Sequence, residues 1–493
     1  MQPTTTVNNA TMNELIERAR AAMRGVGGAS QGRVDELVTA VAWALYQPHN
    51  ARRLAELAVS STGLGNADDK VAKNRRKTFG ALRDLMRVKT VGVIETDAAR
   101  GLVKYGKPVG VVAAVTPSTN PSATPVNKTM FALKGGNAIV IAPSPAGWAA
   151  TEATVNLMRE ALQRIDAPPD LVQILPQPVT REATAELMRR ADLVVATGSQ
   201  NNVRAAYSSG TPCIGVGAGN VPVIIDASAD LDDAAAKICA SKTFDNGTSC
   251  SSENALIILD AVYDDAVTAL QRAGGYLVGA EDKNRIRDKL WVDGKLNREL
   301  VATDAAVFAQ RVGIDIDARD GNNGDSDNNG GDIDSAGKSI DNAARFFMVE
   351  EAAFDPASPF ADEKLSLVLT VYRADDFNHA VETAAGVLSV CGRGHSCGIH
   401  TRDRTQPSRL AEALDVVRVL VNQSHTFGNG GSFNNALNFT LSMGCGTWGG
   451  NSISENLNYR HFINITHLVE TIAEDKPSEE ELFGAFFAKY GRG

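Results

Sequence analysis

The stretch Gly110-Val-Val-Ala-Ala-Val-Thr-Pro-Ser-Thr-Asn120 carries the reading of the fold. Its apolar part, Gly110–Val115, has no polar interruption and stops abruptly at Thr116-Pro117-Ser118-Thr119-Asn120. A short continuous apolar run closed by turn residues is the pattern of a strand buried on both faces, as in a parallel sheet. Runs of the same kind recur at Ala138–Ile141, Leu171–Ile174 and Leu193–Ala196, separated by helical patterns such as Gly147–Arg164 and Arg181–Arg190. Strand and helix alternating at this spacing predict an α/β fold built on a doubly wound parallel sheet, the usual frame for a nucleotide.

Working outward, Met12 to Arg87 is helical in pattern, and Thr90–Gly106 alternates as two strands of a hairpin. A second α/β series has strands near Pro222–Asp226, Ala255–Leu259, Leu367–Tyr372 and Val417–Val421. A chain of 493 residues is too long for one core. The expected division is a cofactor domain over 1–226 interrupted by the 90–106 hairpin, a catalytic domain over 227–440, and a segment 441–493 that returns to the cofactor domain. The hairpin and a late strand near His461–Thr466 suggest a homodimer or homotetramer. Residues 317–338 are rich in Asp, Asn and Gly and read as a mobile surface insertion. Asp325-x-Asp327-x-Asn329-Gly330 begins a calcium-loop pattern there, but Ala336 stands where the bidentate acid belongs, so no metal site is expected.

Bulk properties narrow the function classes. The net charge of −9 argues against a nucleic-acid partner. The basic runs Lys73-Asn74-Arg75-Arg76-Lys77 and Arg189-Arg190 read as solvated helix faces. No apolar run reaches the ~18 residues that span a membrane, and Met1–Ala10 lacks the pattern of a signal peptide. The six cysteines are scattered in the manner of reduced thiols in a cytoplasmic enzyme.

One of those thiols is a candidate nucleophile. Cys250 follows the glycine-bearing segment Phe244-Asp-Asn-Gly-Thr-Ser and is flanked by serines. A thiolate attacks a carbonyl well, provided that backbone donors or positive charge lower its pKa. Alone, such a cysteine also fits a small core residue. Its companions are Thr116-Pro117 through Asn120, Pro143-Ser144-Pro145, Thr197-Gly198-Ser199 opening a helix whose N–H groups suit a phosphate, and Gly215-Val-Gly217-Ala-Gly-Asn220.

In this order the segments resemble the aldehyde dehydrogenase superfamily, over nearly the whole chain except the insertion. Ser241-Lys-Thr-Phe-Asp-Asn-Gly247, Glu363-Lys-Leu365-Ser366, Gly394-His395-Ser396 and Gly444-Cys-Gly-Thr-Trp-Gly-Gly-Asn-Ser-Ile-Ser-Glu-Asn456 resemble its CoA-acylating branch. The resemblance implies two Rossmann-like domains with a small oligomerisation hairpin. It implies Cys250 as nucleophile, Asn120 with the Cys250 N–H as oxyanion donors, and His395 as an aid to the incoming CoA thiol. It implies that Thr116, Pro117, Pro143, Ser144, Gly198, Ser199, Gly217, Glu363 and Leu365 contact the nicotinamide cofactor, with Glu363 on a ribose.

Hydrolytic relatives place a glutamate in a Leu-Glu-Leu-Gly-Gly-Lys motif to activate water, and counting back from Cys250 that position is Val216. Valine is no general base, so transfer of the acyl group to coenzyme A is expected over hydrolysis. Pro145 stands where relatives carry an acid against the adenosine ribose, which leans the cofactor towards NADP, with NAD the alternative. Arg393 and His425 are candidate substrate residues. Arg393 reads equally as an anchor for an anionic tail, a CoA phosphate contact or a surface salt bridge; His425 reads as an anion donor or a structural hydrogen bond. The chain is most similar to branch members acting on sulfoacetaldehyde, with succinate semialdehyde, acetaldehyde and propionaldehyde as alternatives.

Overall fold

A computed structural model describes residues 9–316 and 344–492. The expectations for residues 317–338, mobility and the broken calcium pattern, lie outside the described residues.

Four helices open the described chain: α1 Asn9–Gly25, α2 Gln31–Tyr46, α3 Pro48–Thr62 and α4 Ala67–Leu85. Their breaks follow local chemistry. Ser30 caps α2 through the Arg33 N–H, Pro48 starts α3 where a missing N–H costs nothing, and left-handed Gly63 ends it. Asn66 then caps α4 on the Asp68 and Asp69 N–H groups.

Strands β1 Gly92–Asp97 and β2 Leu102–Pro108 form the antiparallel hairpin. β3 Val111–Thr116 and β4 Ala138–Pro143 are buried at every residue, the expected price of lying inside a two-sided sheet. With β5 Val172–Ile174, β6 Leu193–Thr197 and β7 Cys213–Val216 they make a parallel sheet of order β5-β4-β3-β6-β7. The crossovers are α5 Ala123–Lys134, α6 Trp148–Gln163, α7 Arg181–Arg190 and α8 Gln200–Tyr207. Strand order reverses between β3 and β6, so a crevice opens beyond their carboxyl ends at Thr116 and Thr197.

The second sheet joins β8 Val221–Ile225, β9 Glu253–Leu259, β10 Gly275–Leu277, β13 Phe346–Glu351, β14 Val368–Ala374, β15 Cys397–His400 and β16 Val419–Val421. Its order is β10-β13-β14-β9-β8-β15-β16, and the short pair β11 Trp291–Val292 and β12 Lys295–Leu296 lies outside it. Membership changes before Val221, which corrects the boundary expected at Asp226: β8 hydrogen-bonds β9 and β15, and its side chains pack with the second core. Helix α9 Leu231–Thr243 leads from β8 towards the Cys250 turn.

The last strand, β17 Ile463–Val469, pairs antiparallel with β2. Just before it, Phe439, Leu457 and Phe462 are buried in the core of the first sheet. No helix among the described residues is long and apolar enough to cross a membrane.

Candidate active site around Cys250

Cys250 sits at the end of a turn held in an unusual shape. Asp245 and Asn246 have φ of +53° and +54°, values that Asp and Asn tolerate better than most side chains. Gly247 follows at +71°, and a Cβ there would lie 2.7 Å from the Ser366 carbonyl oxygen. The turn is pinned from α4: Lys70 and Lys73 place their ammonium groups 2.9 and 2.5 Å from Asp245 Oδ2, and Asp69 accepts the Asp245 N–H. Burial raises the Asp245 pKa, but the two lysines outweigh it and hold the carboxyl below its ordinary value.

The glycine-rich loop after β7 closes on the back of the cysteine. A Cβ on Gly219 would meet the Cys250 carbonyl oxygen at 2.1 Å and His395 Cε1 at 3.1 Å, so only glycine permits this approach. The Gly219 N–H bonds the Glu363 carboxylate, while Glu363 Oε1 is buried with no protein partner. Burial first, then Asp362, pushes Glu363 up to about 8. Burial also pushes the Cys250 thiol up to about 12, with Glu363 and the Cys445 thiol adding to it and Ser251 and Arg418 opposing.

His395 is fully buried, and its Nε2 has no hydrogen-bond partner. Its Nδ1 lies 2.8 Å from Ser396 Oγ, which lies 2.9 Å from His425 Nε2. One hydroxyl proton serves two rings, so Ser396 donates to one and accepts from the other. Burial, then Arg418, then His425 keep His395 well below its ordinary pKa, so the ring is neutral. Arg418 braces it by donating to the His395 and Gly444 carbonyls at 2.8 and 2.9 Å.

A cleft opens in front of Ser249 and Ser251, with Asn120 on one wall. Phe244, Phe427, Leu441 and Met443 supply its apolar surface. Its other wall is basic: Lys73, Arg76 and Lys77 of α4 line it. This corrects the reading of Lys73–Lys77 as a solvated face, since Lys73, Asn74 and Lys77 are buried. The helix points that face inward against the Cys250 turn and the loop at Phe427–Leu441, which alternating charge in the sequence does not reveal.

Thr116, Pro117, Pro143, Ser144, Gly198, Ser199 and Gly217 lie at the carboxyl ends of the first sheet's strands, whereas Glu363 and Leu365 come from the segment between β13 and β14 of the second. Thr116 ends β3 with its hydroxyl buried and without a protein partner. Pro117 follows it, and Pro143 ends β4 with the Ser144 N–H donating back to the Thr116 carbonyl. Gly198 and Ser199 bridge β6 and α8, where Ser199 caps the helix through the Asn202 N–H. Gly217 packs so close to the Gln200 amide that a Cβ would lie 2.6 Å from it. Leu365 has φ +42° and its carbonyl accepts the Ala302 N–H. Unpartnered Thr116 Oγ1 and Glu363 Oε1 are acceptors and donors of the kind a ribose or amide would satisfy.

Two candidate substrate residues lie outside the lining of this cleft. Arg393 does not reach the cleft; its side chain is 60% exposed and pairs with Asp415 at 2.5 Å, the surface salt bridge among its three readings. His425 is buried behind Ser396, and its neighbours Thr426 and Phe427 line the cleft instead. Among the described residues no cluster of His, Cys, Asp or Glu could hold a metal ion.

Two parallel sheets, a strand-order reversal between β3 and β6 and a cysteine in the turn before β9 define a class. The aldehyde dehydrogenase family model matches residues 2–284, and the chain belongs to that family. Sulfoacetaldehyde dehydrogenase (acylating) of Cupriavidus necator is 49% identical over 97% of this chain and 92% of its own. The protein of the same description from Bilophila wadsworthia is 42% identical over 98% of this chain and 100% of its own. Among solved structures, an acetylating aldehyde dehydrogenase from Geobacillus thermoglucosidasius superposes with a TM-score of 0.86 at 34% identity, covering 95% of this chain and 98% of that one.

Proposed function

We propose that this protein is a CoA-acylating aldehyde dehydrogenase that converts sulfoacetaldehyde to sulfoacetyl-CoA with NADP. The observation that carries the acylating reading is Val216, a buried apolar residue at the position where hydrolytic relatives hold their water-activating glutamate. The descriptions of the Cupriavidus and Bilophila relatives support the substrate.

Cys250, between the cleft-lining Ser249 and Ser251, attacks the aldehyde carbon, its thiol proton passing to solvent as the C–S bond forms. Asn120, on the cleft wall, donates to the oxyanion of the hemithioacetal. Thr116, Pro117, Pro143, Ser144, Gly198, Ser199, Gly217, Glu363 and Leu365 would hold the nicotinamide nucleotide, which when bound supplies a hydride acceptor and a positive charge. Loss of hydride from the hemithioacetal carbon leaves an acyl thioester on Cys250. With Val216 in place of a base, water is not activated, and the CoA thiol takes the acyl group instead. The unpartnered His395 Nε2 accepts the CoA thiol proton, and Ser396 and His425 hold the ring in place. Acyl-CoA leaves and the Cys250 thiol is restored. NADP is favoured because Pro145 puts no carboxylate near a 2′-phosphate; a cytoplasmic location suits the six free cysteines.

The test is reduced-cofactor formation with sulfoacetaldehyde, each cofactor, and with or without CoA. Sustained turnover should require CoA, with a burst of about one equivalent per cysteine in its absence. Full turnover without CoA would overturn the acylating reading. Cys250→Ala should bind cofactor and show neither burst nor turnover.

A further inference from the structure

Helix α4 directs four cations into the protein, and only two of them meet a carboxylate. Lys70 and Lys73 share Asp245. Lys77 is buried, and its ammonium donates to the Gly430 carbonyl at 2.8 Å with no acid in reach. Arg76 donates from one amino group to Ser432 Oγ at 2.8 Å, its buried Nε has no partner, and its guanidinium lies 5.4 to 6.0 Å from the rings of Phe427, Phe433 and Phe439. Both residues line the cleft in front of Cys250, and no acidic residue lines it with them.

Desolvated cations without a counter-ion are costly; Lys128 is also buried on carbonyl oxygens alone, but Arg76 and Lys77 differ from it in lining a cleft that a ligand could enter. Burial, then Arg76 and Lys73, draw Lys77 down to about 7, while charge on Cys250 acts in the opposite sense. Lys77 lines the same cleft as Ser249 and Ser251, the residues on either side of Cys250. An aldehyde held at the Cys250 sulfur with a short anionic tail would set the tail among these cations, and the apolar walls would strengthen the attraction by excluding water.

We infer that Arg76 and Lys77 form the receptor for the anionic tail of the aldehyde, and so determine substrate specificity. Arg76 supplies a forked donor steered by its aromatic bed, and Lys77 a compact point charge. The inference rests on the reading above that Cys250 attacks its aldehyde in this cleft.

The experiment uses acetaldehyde as a neutral substrate and isethionate, 2-hydroxyethanesulfonate, as an unreactive anion, on wild type, Arg76→Met, Lys77→Met and Arg76→Lys. In wild type, isethionate should inhibit acetaldehyde oxidation competitively. Either methionine variant should weaken that inhibition by about tenfold or more, and lower the sulfoacetaldehyde-to-acetaldehyde ratio of kcat/KM to a similar degree. Arg76→Lys, which keeps the charge, should retain most of both. Equal losses for the two aldehydes, or unchanged isethionate inhibition in folded variants, would overturn the receptor. Should isethionate inhibit wild type while sulfoacetaldehyde is not oxidised, the receptor stands and the substrate reading fails.

Discussion

The first and second halves of α4 carry the same kind of side chain on the same inward face and use it differently. At Lys70 and Lys73 the charge is spent inside the protein, on an Asp245 that the fold buries and that locks the turn leading to Cys250. One turn later, Arg76 and Lys77 meet only neutral oxygens and aromatic rings. A cation answered by a fixed acid does structural work; a cation answered by nothing fixed is available to a ligand. Helix α4 thus braces the turn leading to Cys250 with one pair of cations and lines the adjacent cleft with another.

The comparison breaks most readily at its structural end. Asp245→Asn leaves two buried ammonium groups facing each other, and breaking such a pair costs about 3–5 kcal/mol. Urea unfolding should show that loss, together with a loss of activity as the turn relaxes; a change below about 1 kcal/mol, the worth of an exposed pair, would mean that the paired and unpaired halves are not different.

A smaller effect of opposite sign is expected at Lys77. Its native pKa of about 7 lies below the ordinary lysine value, so between those two pH values the unfolded chain binds a proton that the native protein does not. Stability therefore rises with pH across that window, and Lys77 weighs against the fold chiefly below it. Lys77→Met should be more stable than wild type by on the order of 1 kcal/mol at pH 6, with the gain fading as the pH is raised towards 10. Lys128 and Lys242 are also drawn down to about 7 by burial, so the difference between variant and wild type, not the wild-type curve, is the quantity to measure. A gain that grows with pH would contradict the assignment.

The smallest effect sharpens the contrast from outside. Arg393→Ala removes an exposed pair, and should shift the unfolding free energy by less than about 1 kcal/mol and kcat/KM for sulfoacetaldehyde by less than about twofold. A tenfold fall in that kcat/KM would return Arg393 to the substrate and weaken the case for α4.

Strands β3 to β6 of the first sheet were legible as short apolar runs closed by turn residues, whereas β7 was not, being four residues long and running into a glycine-rich loop. In the second sheet β9 and β14 were visible through their apolar stretches Ala255–Leu259 and Leu367–Tyr372, whereas β10 and β13 were not. Gly275–Leu277 is only three residues long, and Phe346–Glu351 ends in acids that mask its burial pattern. Cys250 and its glycine-rich neighbours could be singled out because their turn chemistry is local. The cationic wall could not, because a run of Lys and Arg on a helix is most often solvated and nothing in residues 70–77 names the distant partner.

By itself the sequence determined the α/β class, the alternation of strand and helix, the family and the missing base at Val216, all of which are matters of local pattern and residue type. Tertiary structure decided which charges are satisfied. Asp245 lies far along the chain from Lys70 and Lys73, Ser396 joins two histidines on separate loops, and the aromatic bed of Arg76 comes from the chain beyond Phe427. A buried charge acquires its meaning from the groups packed around it, since its energy depends on distance and on the water excluded, and neither is written along the chain.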